Sequence, residues 1–146
     1  MPPRFPLFID LTGRPVTVVG GGNVGLRRAA VLRDFGARVT VISPALGTPT
    51  EGIVHIPRPY MPGDLEDAFL AVAAADDRAV NHAVWTEART RGIPVSVCDC
   101  PEECDFFFPA VCRKDPLVAG VVGDGSNHRR TAAAAKIIRE ALEELP

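Results

Sequence analysis

The residues best suited to chemistry form one short run, Pro15-Val-Thr-Val-Val-Gly-Gly-Gly-Asn-Val-Gly25. A β-branched stretch, Val16 to Val19, leads into Gly20-x-Gly22-x-x-Gly25, and a helical pattern starts at once. That order suits the pyrophosphate of a dinucleotide. Gly20 permits the tight turn, Gly22 lets backbone approach the phosphates without a Cβ in the way, and Gly25 lets helix pack close on strand. The helix N-terminus then turns free N–H groups and the positive end of its dipole toward the anion. A purely structural tight turn is the plainer alternative; the strand–turn–helix context favours the nucleotide.

Other candidates gather at the same edge. In an open α/β sheet the ligand sits beyond the carboxyl ends of the strands. Asp99 leaves the strand expected over Pro94–Cys98 there, either as a general base or as a loop cap. Asp76 and Asp77 occupy that edge too and read as helix caps. The second strand ends Val41-Ile42-Ser43-Pro44, without the carboxylate that normally holds an NAD ribose. Ser43 or backbone must make that contact, and the residues alone leave NAD and NADP open. Arg28 interrupts the apolar side of the first helix, as an anion contact beside the pyrophosphate or as a snorkelling stem. His55, His82 and His128 lie far apart and read as surface or capping residues. Cys98, Cys100, Cys104 and Cys112 follow C-x-C-x3-C-x7-C, which matches no paired zinc-ligand set. No metal is expected, and the thiols read as small buried or half-buried hydrophobes.

The elements that must position these residues alternate strand and helix. Asn23–Phe35 reads as a helix with Val24, Val31, Leu32 and Phe35 inward, followed by a strand over Arg38–Ile42 and a short one over Gly52–Ile56. The apolar run Ala68–Ala75 suits a strand buried on both faces; a helix then runs to Arg91 and stops at Gly92. This argues for a parallel sheet with right-handed crossovers, a Rossmann-like α/β domain over 1–105. Over 106–146 the pattern changes. Phe106–Cys112 and Leu117–Val122 read as a hairpin. A helix capped by Ser126 or Asn127 follows, with Ala134, Ile137, Ile138, Ala141, Leu142 and Leu145 on one stripe. So short a tail cannot form its own core and needs the first part or another chain. Phe106, Phe107 and Phe108 would point to both faces of a strand, so a homodimer is expected.

Length and charge bound the rest. A chain of 146 residues with net charge −2 carries no global pull toward nucleic acid or an anionic membrane. No apolar run approaches the ~20 residues of a membrane span. Leu7-Phe8-Ile9 is too short for a signal-peptide core, so a cytoplasmic location is expected. The only tyrosine, Tyr60, is followed four residues on by Asp64, which removes the Tyr-x-x-x-Lys of short-chain dehydrogenases.

Taken together, the chain resembles the precorrin-2 dehydrogenase family, the N-terminal module of siroheme synthases. The matching pieces are Phe5-Pro-Leu-Phe-Ile-Asp-Leu, Gly20-Gly-Gly-Asn-Val-Gly-Leu-Arg-Arg, Gly36-Ala-Arg-Val-Thr-Val, Ala73-Ala-Ala-Asp-Asp and Cys104-Asp-Phe-Phe-Phe-Pro-Ala. Pro116-Leu-Val and Arg139-Glu-Ala-Leu-Glu-Glu-Leu-Pro complete them. The resemblance implies NAD-dependent oxidation of precorrin-2 to sirohydrochlorin, in some members with iron insertion. It implies a catalytic Asp99, reached through Ser96-Val-Cys-Asp, and cofactor contacts from Asn23 and Val24 and from Pro44 and Ala45. It also implies a dimer built through the tail. Arg28, Lys114 and Arg129 or Arg130 are the expected anchors for the substrate's carboxylates. The loop Val122-Gly-Asp-Gly-Ser-Asn-His departs from the family's Ser-x-Gly-Gly-x-Ser-Pro. That departure keeps a rival in view, a non-catalytic module that binds nucleotide or tetrapyrrole as a sensor or partner subunit.

Overall fold

The structure, a computed structural model, describes residues 2–146. The chain divides into two compact units, Asp10–Phe106 and, separately, the N-terminal residues up to Ile9 together with Phe107–Pro146.

The first unit is a five-stranded parallel sheet in the order β3-β2-β1-β4-β5. The strands are β1 (Pro15–Val19), β2 (Arg38–Ser43), β3 (Ile53–Pro57), β4 (Leu70–Ala73) and β5 (Val95–Val97). Helix α1 (Asn23–Asp34) connects β1 to β2, and α2 (Arg78–Arg91) connects β4 to β5. The central strands read as unbroken apolar runs because helices and loops leave neither face to water. Val18, Val41, Val72 and Val95 are each fully buried. β1 pairs with β2 on one side and β4 on the other, so the strand order reverses at β1. In open α/β sheets such a reversal is where ligands bind, beyond the carboxyl ends of the strands.

Helix α1 corrects one expectation. The residues it buries are Gly25, Ala29 and Leu32, whereas Val24 is exposed. Small residues face the sheet because the helix lies so close: a Cβ on Gly25 would stand 2.2 Å from the Gly20 carbonyl oxygen. Helix α2 starts and stops as expected. Asp77 is its N-cap, accepting from the Ala79 N–H at 2.8 Å, and Gly92 closes it with φ of 70°.

In the second unit, β6 (Ala110–Lys114) and β7 (Leu117–Val121) form an antiparallel hairpin covered by α3 (His128–Glu143). Two expectations change here. Phe106 to Phe108 are not part of β6, which begins only after Pro109, a residue with no N–H to give a ladder. On α3 the fully buried position is Ala135; of the expected stripe Ala134, Ile138 and Leu142 are half-buried, whereas Ala141 and Leu145 are exposed and Ile137 is 66% exposed. The turn of the helix that meets Cys112 is set by the close contact of its thiol with the Ala135 carbonyl at 3.4 Å. Asn127 caps α3 by accepting from the Arg130 N–H at 2.9 Å.

Candidate functional site

The glycine turn is built around contact. Gly20 has φ of 121°, open to glycine and strained for other residues, and a Cβ there would lie 2.2 Å from the Ala74 oxygen. Gly21 is equally confined, by the Ala45 oxygen and the Ser43 hydroxyl. Gly22 differs: nothing lies within 4 Å of where its Cβ would be. It faces open space at the N-cap of α1 and gives no side-chain cap. Helices α2 and α3 each close their first turn with an Asp or Asn side chain; α1 leaves its N–H groups at Asn23, Val24 and Gly25 for another acceptor. No acidic residue stands in that first turn to repel an anion. The residues present fit a dinucleotide pyrophosphate.

The loop after β2 forms the neighbouring wall. Ser43 is buried, and its hydroxyl donates to the Ala45 oxygen at 2.7 Å rather than pointing outward. His55 Nε2 lies 2.9 Å from the Ser43 oxygen and 3.1 Å from its hydroxyl. His55, expected as a surface or capping residue, is thus a half-buried buttress on the Ser43 carbonyl; the register of β3 against β2 places it there. Gly47 N–H donates to the Gly21 oxygen at 2.9 Å, tying this loop to the glycine turn.

On the far side of β1, Asp99 leaves β5 as expected. Its Oδ1 accepts from the Arg78 guanidinium at 2.8 Å. Arg78 also pairs with Glu103, and Glu103 lies 2.7 Å from His82 Nδ1. Burial pushes the Glu103 carboxyl up, but the bonds from His82 and Arg78 outweigh it and hold the group below the usual carboxylate range. Sequence reasoning missed Arg78, His82 and Glu103 because no spacing links the first turn of α2 to the 3-10 turn Pro101–Glu103. Asp99 therefore stands in a set of alternating charges.

Arg28 is half-buried on α1, within electrostatic reach of the Cys98 and Cys104 thiols. Burial lowers its pKa, and the negative charge of the two sulfurs, where ionised, opposes that shift. Cys98 is exposed, against expectation, and burial of its sulfur followed by the Asp99 charge pushes its pKa up, so it stays a thiol. In the second unit Lys114 is already engaged. It donates to the Glu143 and Leu145 oxygens at 3.0 and 2.7 Å, capping the end of α3. Arg129 and Arg130 are exposed in the first turn of α3.

Residues 7–110 match the family model described as "Putative NAD(P)-binding". The chain belongs to this NAD(P)-binding family. It is 40% identical over 144 residues to "Probable multifunctional siroheme biosynthesis protein HemA" of Ruminiclostridium josui, covering 94% of this chain and 28% of that protein. It is 38% identical over 142 residues to "Siroheme synthase" of Ectopseudomonas mendocina, covering 94% of this chain and 30% of that protein. The chain thus spans less than a third of the curated relatives it matches. Among solved structures it is similar to "SirC, precorrin-2 dehydrogenase", with a TM-score of 0.71 and 26% identity over 96% of this chain and 70% of that one.

Proposed function

We propose that this chain is an NAD-dependent precorrin-2 dehydrogenase, oxidising precorrin-2 to sirohydrochlorin in siroheme biosynthesis. The observation that carries the reading is the carboxylate of Asp99, held by Arg78 at the carboxyl edge of β5, on the same sheet edge as an uncapped glycine turn. The likeness to a precorrin-2 dehydrogenase over nearly the whole chain supports the choice of substrate.

When bound, NAD supplies the hydride acceptor. Its pyrophosphate would rest on the backbone of Gly20, Gly22, Asn23, Val24 and Gly25. Ser43, Pro44 and Ala45 would shape the ribose side, by surface and backbone rather than by an outward hydroxyl. The substrate must lose a proton as well as a hydride, and Asp99 takes it. With Oδ1 held by Arg78, Oδ2 is the receiving atom. Arg28, Lys114 and Arg129 or Arg130 are the proposed anchors for substrate carboxylates.

The protein acts as a homodimer in the cytoplasm, on this reading. None of the described helices is long and apolar enough to cross a membrane. Leu117, Val122 and Ile137 are exposed apolar residues of the second unit, a surface suited to a second copy. Iron insertion is weak or absent, given the altered loop from Gly123 to His128.

Anaerobic mixing of the protein with precorrin-2 and NAD tests the activity. Sirohydrochlorin absorbance should appear with stoichiometric NADH. NAD binding without any product would select the sensor or partner-subunit reading instead.

A further inference from the structure

Asn81 is completely buried, on the face of α2 turned to the sheet. Its Oδ1 accepts from the Ala75 N–H at 3.0 Å, and its Nδ2 donates to the Ala75 oxygen at 3.0 Å. The parallel ladder has already run out at this point: its last bond joins the Ala74 N–H to the Val19 oxygen at 2.8 Å. The side-chain amide therefore serves Ala75 as a strand one residue long, satisfying both backbone groups where the sheet no longer can.

The peptide so held is the one that confines the glycine turn. A Cβ on Gly20 would lie 2.2 Å from the Ala74 oxygen and 2.7 Å from the Ala75 nitrogen. Nδ2 also stands 4.0 Å from the Cys98 sulfur, one residue before Asp99. One buried amide thus ties together the ends of β4 and β5 beside the glycine turn. The sheet order assigns the two halves of a dinucleotide to opposite sides of β1. The adenosine ribose belongs at the end of β2, so the nicotinamide half belongs over the end of β4.

We infer that Asn81 is a positioning residue for the nicotinamide half of the cofactor, holding the Ala74–Ala75 peptide as the fixed wall of that half-site. The inference rests on the NAD(P) reading of the crevice. A residue that merely tied helix to sheet would change the melting temperature and treat both halves of the cofactor alike. A wall under the nicotinamide acts on that half only.

Calorimetry on wild-type protein and Asn81→Leu, with NAD and with ADP-ribose, separates the two. ADP-ribose keeps the adenosine and pyrophosphate and lacks the nicotinamide. The dissociation constant for NAD should rise about tenfold or more, the scale of losing buried hydrogen bonds, while that for ADP-ribose stays within about twofold. Hydrogen exchange should show the Ala75 amide released, with Val18 and Val72 still protected. Asn81→Ala removes both side-chain bonds to Ala75 without adding bulk. It serves as the second variant if Asn81→Leu does not fold, with the same direction expected. Equal weakening of both ligands, or unchanged NAD affinity in a folded variant, overturns the inference. An Ala75 amide as protected as in wild type overturns it too. Failure of the wild-type protein to bind NAD would instead overturn the cofactor reading itself.

Discussion

The Arg78 guanidinium donates to Oδ1 of Asp99 at 2.8 Å across 21 residues of sequence, joining the first turn of α2 to the exit of β5. Arg78 is also shared with Glu103, so its charge is divided between two carboxylates and both of its partners are held in place. Asp99 is thus a carboxylate oriented by a charged hydrogen bond.

Asp99→Asn keeps size and hydrogen-bonding atoms but loses basicity. The rate of sirohydrochlorin formation should fall roughly 10²–10⁴-fold with NAD affinity unaltered. Arg78→Met leaves the base but frees it, and should cost about tenfold through lost orientation. Turnover by Asp99→Asn at the wild-type rate would remove Asp99 from the chemistry.

Gly22 and Gly25 should separate binding from folding. Gly22 has ordinary extended backbone and open space beside it, so Gly22→Val should fold with a near wild-type thermal transition and lose NAD binding in a titration. Gly25→Ala places a Cβ 2.2 Å from the Gly20 oxygen and should destabilise the fold by roughly 1–3 kcal/mol, seen in denaturant melts. The reverse pattern would contradict the assignment of the turn.

Ile137 offers a probe of assembly, since it is 66% exposed on α3 and makes no core. Light scattering of the wild type at micromolar concentration should give about twice the chain mass of 15.6 kDa. Ile137→Glu should move the population to monomer. A wild-type monomer would leave the apolar surface of the second unit without its proposed cover.

Glu87 anchors the stretch between β3 and β4. It accepts from the Tyr60 hydroxyl at 2.5 Å, the Gly63 and Leu65 N–H groups at 2.9 and 3.1 Å, and Arg91 Nε at 2.7 Å. Burial raises its pKa, yet these bonds together outweigh burial and leave the carboxyl below its usual range. A depressed native pKa means the contribution is complete above the unfolded value of about 4.3 and disappears as pH falls through the native one. Glu87→Gln should therefore be less stable by about 2 kcal/mol at pH 7 and lose less on acidification than the wild type. Parallel melting curves from neutral to acid pH would refute this account.

The alternation of apolar runs with glycine and aspartate punctuation determined the sheet, its helices and the glycine turn by itself. Local rules set those features: strand periodicity, the Asp77 cap, the Gly92 stop and the three glycines of one turn. The place of Asp99 just beyond β5 was legible too, because the strand expected there ends beside it. The partners of these residues were not legible. Arg78 meets Asp99 and His55 meets Ser43 only after separate strands have paired, and no local spacing records those meetings. Lys114 shows the same limit from the other side. Its charge suits a substrate carboxylate, and the hairpin also brings it to the carbonyls at the end of α3, a contact that no local spacing records. The tail's apolar residues likewise announced burial without saying where, since β6 could start only beyond Pro109 and α3 turned Ala135 inward and Ile137 outward. Element type follows from neighbours along the chain; which polar group ends up with which partner follows from packing, and only the tertiary structure decides it.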